Sequence, residues 1–421
     1  RRAVREIAFT SLANLDTAAI DDGQLNLVAA AFRDALESES DLQLRVQLLQ
    51  QTTRFIAGQE ALNLLLPAIK QGKPNEATEA SRQLAFIEPS ASAWQALIWA
   101  IDGSYATGDK KADIGSVNAA TRLALWTGLS SLDARPPDVT QATIDVLLQR
   151  GLSQESDQAV LEKIYVCAGR QAGIEFLPIL EAVVLDKQRD PLHRSVALLS
   201  MTSITERAVN APPISTLVIN LLGDTEAQVR AQAIVALRRL NPDGATEELA
   251  DRLSQETQII LQKQLLNALL EERSALIFEP LLLFVPPTEL IEGYSRALVF
   301  QISADIALLT RAVDALSLRQ SFQTSLMLVR AFPLDKLSLE ATAILQGLHA
   351  KVLSEHLLTQ SIDESNQPSV DDALLRLRDL QSANPTEGSW LEYEIQLRLL
   401  DGDVTRCIDI VSLLAASDSS T

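Results

Sequence analysis

The stretch Gly223-Asp224-Thr225-Glu226-Ala227-Gln228-Val229-Arg230-Ala231-Gln232-Ala233-Ile234-Val235-Ala236-Leu237-Arg238-Arg239-Leu240-Asn241-Pro242 decides the fold. Val229, Ala233, Ala236, Leu237 and Leu240 fall at i, i+4, i+7, i+8 and i+11, which is one stripe of an α-helix. Asn241-Pro242 closes the helix, because proline has no N–H to donate to the preceding turn. The first residues repeat the spacing with Val4, Ala8, Ser11, Leu12 and Leu15. Anchored on the first apolar position, looser copies start at Leu44, Ala77, Val117, Val160, His193 and Leu261, so successive anchors from Val4 lie 40, 33, 40, 43, 33, 36 and 32 residues apart. A period of about 37 residues with two helical patterns in each predicts helical hairpins stacked one on the next.

The partner helices fall at 25–36, 61–70, 94–101, 144–148, 176–185, 217–222 and 276–285. Pro-Pro pairs at 136/137, 212/213 and 286/287 precede several of them, as expected for proline in a first helical turn, where its missing N–H has no intrahelical partner to lose. Ala57-Gly58 with Leu66-Pro67 recurs at the same spacing as Ala168-Gly169 with Leu177-Pro178, a second sign of internal repetition.

Composition agrees with an all-α class. Of 421 residues, 47% are hydrophobic but only 4% aromatic, so the apolar surface is Leu, Ala, Ile and Val, which suits helix-on-helix packing. A net charge of −19 argues against nucleic acid as a ligand, since phosphate binding needs clustered Lys and Arg. No apolar run reaches the 18 or so residues of a membrane span. The start Arg1-Arg2-Ala3-Val4-Arg5-Glu6 is not a signal peptide and lacks Met, so the chain is expected to begin inside a longer protein. Two cysteines and three histidines leave little material for disulfides or metal sites. They lean the expected compartment toward a reducing, cytoplasmic interior.

The Asp-x4-Val-Arg-x2-Ala-x2-Ala-Leu pattern from Asp224 to Leu237 resembles the HEAT-repeat family, and Val4-Arg5 and Leu44-Arg45 echo it. At 75–87 and 115–132 the Val-Arg pair is replaced by Ala77-Thr78 and Val117-Asn118. The resemblance covers about residues 1–285 and implies an α-α superhelix, a solenoid of antiparallel hairpins. After Pro287 the template fades, and 286–360 is expected to be an irregular helical connector continuing the solenoid. Near the end, Ala373→Cys407 and Leu377→Val411 are each 34 residues apart, with Pro385 following the first helix and Gly402 between two helices. Small residue, large apolar residue four later and proline twelve later resembles the second helix of a tetratricopeptide repeat. The family pattern is broken by Ile395 and Val411. The resemblance spans about 355–417, and 361–421 is expected to form tetratricopeptide-like hairpins. It implies a ligand groove lined by the first helix of each hairpin, which places Glu392 and Gln396 toward a protein partner. The polar run Ser361 to Ser369 marks the boundary.

Motifs that suggest chemistry give way to simpler readings. Gly103-x4-Gly108-Asp109-Lys110 lacks the Gly-Lys-Ser/Thr and the preceding strand of a phosphate loop, so 102–113 reads as an exposed inter-helix loop. His193 sits at a repeat anchor without convergent partners, and His349 and His356, seven apart, are too widely spaced to share a metal. Cys167 and Cys407 read as buried packing residues, and Trp94, Trp99, Trp126 and Trp390 as core. Asp21-Asp22 and Asp371-Asp372 read as helix-start charges. Arg5, Arg45, Arg194 and Arg230 recur at one repeat position, either as a basic stripe or, as favoured by the nineteen excess negative charges, as a ladder of ion pairs along the stack.

The function expected from these features is a non-enzymatic protein-binding scaffold with an extended acidic surface, taking a basic or amphipathic partner segment. No catalytic, cofactor-binding or metal residue is assigned. The competing classes are a structural arm of a larger assembly or coat, and a HEAT-like enzyme of the chromophore-lyase type.

Overall fold

The computed structural model describes residues 2–15, 21–105, 117–271, 277–333, 337–360, 366–383 and 389–418. Among these there is no strand, and the chain is all-α as expected. It divides into two compact units, Arg1–Leu221 and Leu222–Thr421.

The first unit contains α1 (Arg2–Ala13), α2 (Asp22–Ser38), α3 (Leu42–Leu49), α4 (Thr52–Phe55), α5 (Gly58–Gln71), α6 (Pro74–Gln83), α7 (Ser90–Ser104), α8 (Ala119–Ser131), α9 (Gln141–Gln154), α10 (Gln158–Gln171), α11 (Leu177–Leu185), α12 (Pro191–Arg207) and α13 (Ser215–Leu221). Hairpins form from α2 with α3, α5 with α6, α7 with α8, α9 with α10 and α11 with α12. The second helices of the hairpins pack along one another in the order α3, α6, α8, α10, α12, whereas the first helices touch more sparsely, leaving grooves between them. The seven partner helices read from the sequence are all present.

The second unit contains α14 (Ala227–Leu240), α15 (Ala245–Gln255), α16 (Ile259–Glu271), α17 (Phe278–Leu283), α18 (Ile291–Ile302), α19 (Ile306–Leu318), α20 (Phe322–Ala331), α21 (Leu339–Leu358), α22 (Gln367–Ala383), α23 (Ser389–Leu400) and α24 (Val404–Asp418). Hairpins pair α15 with α16, α17 with α18, α19 with α20, α21 with α22 and α23 with α24. Among the described residues of 286–360, where the sequence template fades, α18, α19, α20 and α21 each belong to one of these pairs.

Local chemistry sets the helix ends. Asp41, Asp157, Asp190 and Asp305 cap α3, α10, α12 and α19 by accepting backbone N–H groups at their starts, and Asp21 forms a capping box with Gln24. Asn241 ends α14 in the left-handed conformation (φ 40°), which Asn tolerates, and Gly402 (φ 83°) makes the expected turn between α23 and α24.

Several sequence expectations are corrected. The Pro-Pro pairs lie in loops upstream of α9, α13 and α18, not inside their first turns. Ala57-Gly58 opens α5 with Pro67 inside that helix, whereas Ala168-Gly169 lies inside α10 and Pro178 in the first turn of α11, so the two copies are not structurally equivalent. Asp371-Asp372 sits beyond the first turn of α22. Helix α7 runs through Asp102 to Ser104 and ends at Tyr105, where the sequence places a loop; 106–113 lies outside the described residues, as do Ser361 to Ser365 and Pro385.

Gly169 shows why the second helices pack closely. A Cβ there would meet the Ser200 Cα of α12 at 2.9 Å, so α10 and α12 approach at a distance only glycine permits. Gly169→Ala is expected to cost about 1–3 kcal/mol by forcing the two helices apart. Gly293 in α18 faces open space, and Gly293→Ala is expected to stabilise by about 0.5–1 kcal/mol through helix propensity. Paired thermal-unfolding curves check both signs.

Candidate protein-binding surfaces

The recurrent arginines each reach a buried acceptor in the stack, although the Arg5 side chain itself stays about half exposed. Arg5 Nε lies 2.8 Å from Glu39, Arg45 Nε 2.5 Å from Glu76, and Arg230 Nε 2.8 Å from Glu256. Each glutamate sits in the loop or first turn before the next second helix, and each also accepts backbone N–H groups there: Asp41 for Glu39, Lys73 for Glu76, and Thr257 and Gln258 for Glu256. The guanidinium donates a further bond to carbonyls of its own preceding loop, as Arg45 does to Glu39 and Arg230 to Asp224. One arginine thus ties two loops of consecutive repeats together. Arg194 is buried in the same position and donates to the Val184 carbonyl at 2.8 Å.

Arg122, missed by the sequence register, makes the same contact with Glu155 at 2.7 Å and donates to the Val117 carbonyl. Helix α8 begins at Ala119 with Asn118 as its cap, so the anchor here is Thr121, four residues later than Val117. In α6 the arginine position is Thr78, whose hydroxyl meets that of Thr121 at 3.1 Å. A signal for the acidic side was present: Glu39-Ser40-Asp41, Glu155-Ser156-Asp157 and Glu256-Thr257-Gln258 each stand five residues before an anchor, Leu44, Val160 and Leu261.

Electrostatics follow the geometry. Burial alone would raise the Glu256 carboxyl, but hydrogen bonds from Arg230, the Gln258 backbone and Arg252 outweigh it and hold it at about 2. Glu155 is lowered in the same way, burial being overcome by Arg122, the Asp157 N–H and the Tyr105 hydroxyl. The ladder arginines are spent on cohesion, and the basic-stripe reading is not supported.

The other singled-out residues are structural. His193 is buried, its Nε2 3.1 Å from the Gln158 carbonyl and its ring against Tyr165. His349 and His356 lie on α21; burial first, then the nearby Arg376 and Arg330, push His349 down to about 4, so it is neutral at pH 7. Cys167 and Cys407 are buried, and burial pushes the Cys167 thiol up to about 12. Among the described residues no three His, Cys, Asp or Glu side chains gather as a metal site, and no helix is long and apolar enough to cross a membrane. Trp94 and Trp126 are core residues as expected, but Trp99 and Trp390 are half-buried and each lines a groove.

The groove at Trp390 lies between α21, α22 and α23 and holds about 520 Å³. Ile344 and Leu348 of α21, Leu380 and Ala383 of α22 and the Trp390 indole make its apolar walls. Gly347 allows the indole to lie on α21, since a Cβ there would touch its six-membered ring at 3.3 Å. The indole N–H is buried with no hydrogen-bond partner among the described residues. Of the charged side chains lining the groove, Lys351 is paired with Asp314 and Arg376 with Asp372, both within 2.9 Å, whereas Glu340 and Asp379 are exposed and have no ion-pair partner among the described residues. The unbalanced charge is therefore negative. Glu392 and Gln396 share the exposed face of α23, one turn apart, but neither lines this groove.

No family model matches the chain, and no curated protein matches it. Solved structures do: the karyopherin Kap121p bound to the extreme C-terminus of the protein phosphatase Cdc14p is 12% identical over 98% of this chain and 50% of its own length, with a TM-score of 0.45. Kap121p bound to Nup53p gives the same identity and TM-score over 99% of this chain and 50% of its own, and Kap121p bound to Ste12p gives 14% and 0.43 over 97% and 52%. The chain spans about half the length of the solved structures it matches.

Proposed function

We propose that this chain is a non-enzymatic protein-binding scaffold, and that the groove at Trp390 takes a partner segment presenting an apolar side chain beside a lysine or arginine. The observation that carries this reading is the pair Glu340 and Asp379, unpaired carboxylates at the rim of an apolar groove whose own cations are already engaged. The buried Trp390 N–H would donate to a carbonyl of the bound segment, and a net charge of −19 would speed its approach. Glu392 and Gln396 extend the acidic and polar contact along α23. In this reading 1–285 is a HEAT-like array, 286–360 continues it, and 361–421 supplies tetratricopeptide-like hairpins.

Selection of 12-residue peptides displayed on phage against the full chain tests it. Enriched sequences should carry Lys or Arg within four residues of Leu, Phe or Trp, lose affinity as salt rises, and bind the E340K/D379K variant about tenfold or more weakly. Enrichment without basic residues, or affinity indifferent to both salt and the charge reversal, overturns the proposal.

A second reading, an arm of a larger assembly, is favoured by the exposed stripe Val404, Ile408 and Val411 of α24, at i, i+4 and i+7. Light scattering on the purified chain tests it: self-association that vanishes in Ile408→Glu supports it, and a monomer at all concentrations opposes it.

A further inference from the structure

A second groove, in the first unit, has the shape of a helix-binding site. It lies between α7 and α9, the first helices of adjacent hairpins, and holds about 810 Å³. Its α7 wall is Gln95, Ile98, Trp99 and Asp102, at i, i+3, i+4 and i+7, and its α9 wall is built around Ala142, Val146 and Leu147. Each wall is thus a single helical stripe, and seven residues at 1.5 Å each give a trough of about 10 Å, two turns of a third helix. Val146 is 59% exposed, outside the buried stripe of α9 formed by Ile144, Leu147, Leu148 and Gly151, and nothing among the described residues covers it. The Lys70 ammonium lies 5.0 Å from the centroid of the Trp99 ring, a cation–π contact that favours this placement of the indole.

The two ends of the trough differ in charge. At one end Asp102 is neutralised by an ion pair with Arg150. At the other, Asp138 accepts a hydrogen bond from Gln95 at 2.6 Å and has no ion-pair partner among the described residues. A neutral amide leaves the carboxylate charge uncompensated, so the trough is apolar along its length and negative at the Asp138 mouth.

We infer that this trough docks an amphipathic helical segment of a partner protein, its apolar residues at i, i+3 or i+4 and i+7 between Trp99 and Val146 and a lysine or arginine at the Asp138 mouth. The helix N-terminus is favoured at that same mouth, because its dipole is positive. The segment is distinct from the one proposed for the Trp390 groove, which lies in the other unit, and either site can fail without the other.

The probe is a tryptophan-free, 14-residue helical peptide with leucines at positions 4, 7, 8 and 11 and two lysines in its first turn, set against the same peptide with glutamates in that turn. With the full chain, the lysine peptide is expected to shift tryptophan emission to the blue, and Trp99→Phe is expected to remove the shift. Val146→Asp should weaken binding about tenfold or more at unchanged helical circular dichroism, because it puts an unpaired charge in the apolar trough. Asp138→Lys should invert the preference in favour of the glutamate peptide, whereas E340K/D379K should leave binding of the lysine peptide unchanged. Equal binding of the two peptides, no binding of either, or a shift that survives both Trp99→Phe and Val146→Asp overturns the inference.

Discussion

Arg230→Ala is expected to lower the stability of the second unit by about 3–5 kcal/mol, the loss that follows when one member of a buried ion pair is removed and its partner is stranded. Glu256 is the stranded group: its side chain is 1% exposed and would keep only Arg252 and two backbone N–H groups as partners. The carbonyls of Asp224 and Thr225 would lose their donor as well. For a unit of this size the loss corresponds to a fall in Tm of roughly 10 °C. The pH dependence carries a definite sign. Glu256 titrates at about 2 in the folded chain against an ordinary 4.5, so its contribution is complete above pH 4.5 and fades as pH falls toward 2. In Arg230→Ala, protonation of Glu256 relieves the stranded charge, so the gap between variant and parent should narrow below pH 4.5. Thermal unfolding followed by circular dichroism from pH 3 to 8 measures both. A gap that is small at pH 7, or that widens in acid, contradicts the ladder's role. The double substitution Arg230→Met with Glu256→Met should recover most of the loss, since an apolar pair leaves no buried charge unpaired.

Trp126→Ala is the second large effect expected, about 3–5 kcal/mol. The indole is fully buried between α8 and α9, where Gly151 clears room for it: a Cβ at that position would come within 2.6 Å of the ring. Its N–H donates to the Tyr105 hydroxyl at 3.0 Å, and that hydroxyl donates to Glu155 at 2.9 Å, the same carboxylate held by Arg122. Truncation therefore opens a cavity and removes the first link of a buried chain that ends on the ladder. Trp126→Phe keeps most of the apolar volume and loses only that link, so its cost should be nearer 1 kcal/mol. Thermal unfolding of the two variants separates packing from hydrogen bonding, and equal losses would show that the Tyr105 link outweighs the cavity.

The relation between sequence and structure is clearest at particular residues. Helix periodicity placed α14 and its end at Asn241, because the burial of one stripe leaves a record in residue type at every third or fourth position. Position 117 failed for a related reason: Val117 and Thr121 both fit a four-residue spacing, and only the cap at Asn118 settles which belongs to the helix. The Ala-Gly and Leu-Pro coincidence failed because glycine serves two ends. At Gly58 it supplies a positive φ of 55°, and at Gly169 it supplies closeness to α12.

The candidate sites were less legible. Glu392 and Gln396 were assigned from a repeat pattern, and they lie together on an exposed face, but the groove beside them is built by Trp390, Glu340 and Asp379. A groove belongs to two or three helices at once, and its charge depends on which cations are already engaged. Lys351 and Arg376 line the groove, but Asp314 and Asp372 hold them.

The sequence by itself determined the all-α class, the hairpin repeat and the buried cysteines, and favoured the ladder role of the arginine position, since each is an imprint of local burial, of charge balance or of periodic spacing. Only the tertiary structure decided which glutamate answers each arginine, where first helices part to leave troughs, and which carboxylates stand without a cation. Those are properties of neighbours some 26 to 48 residues apart in the chain, as for Arg230 with Glu256 and Arg150 with Asp102, and a one-dimensional pattern does not record them.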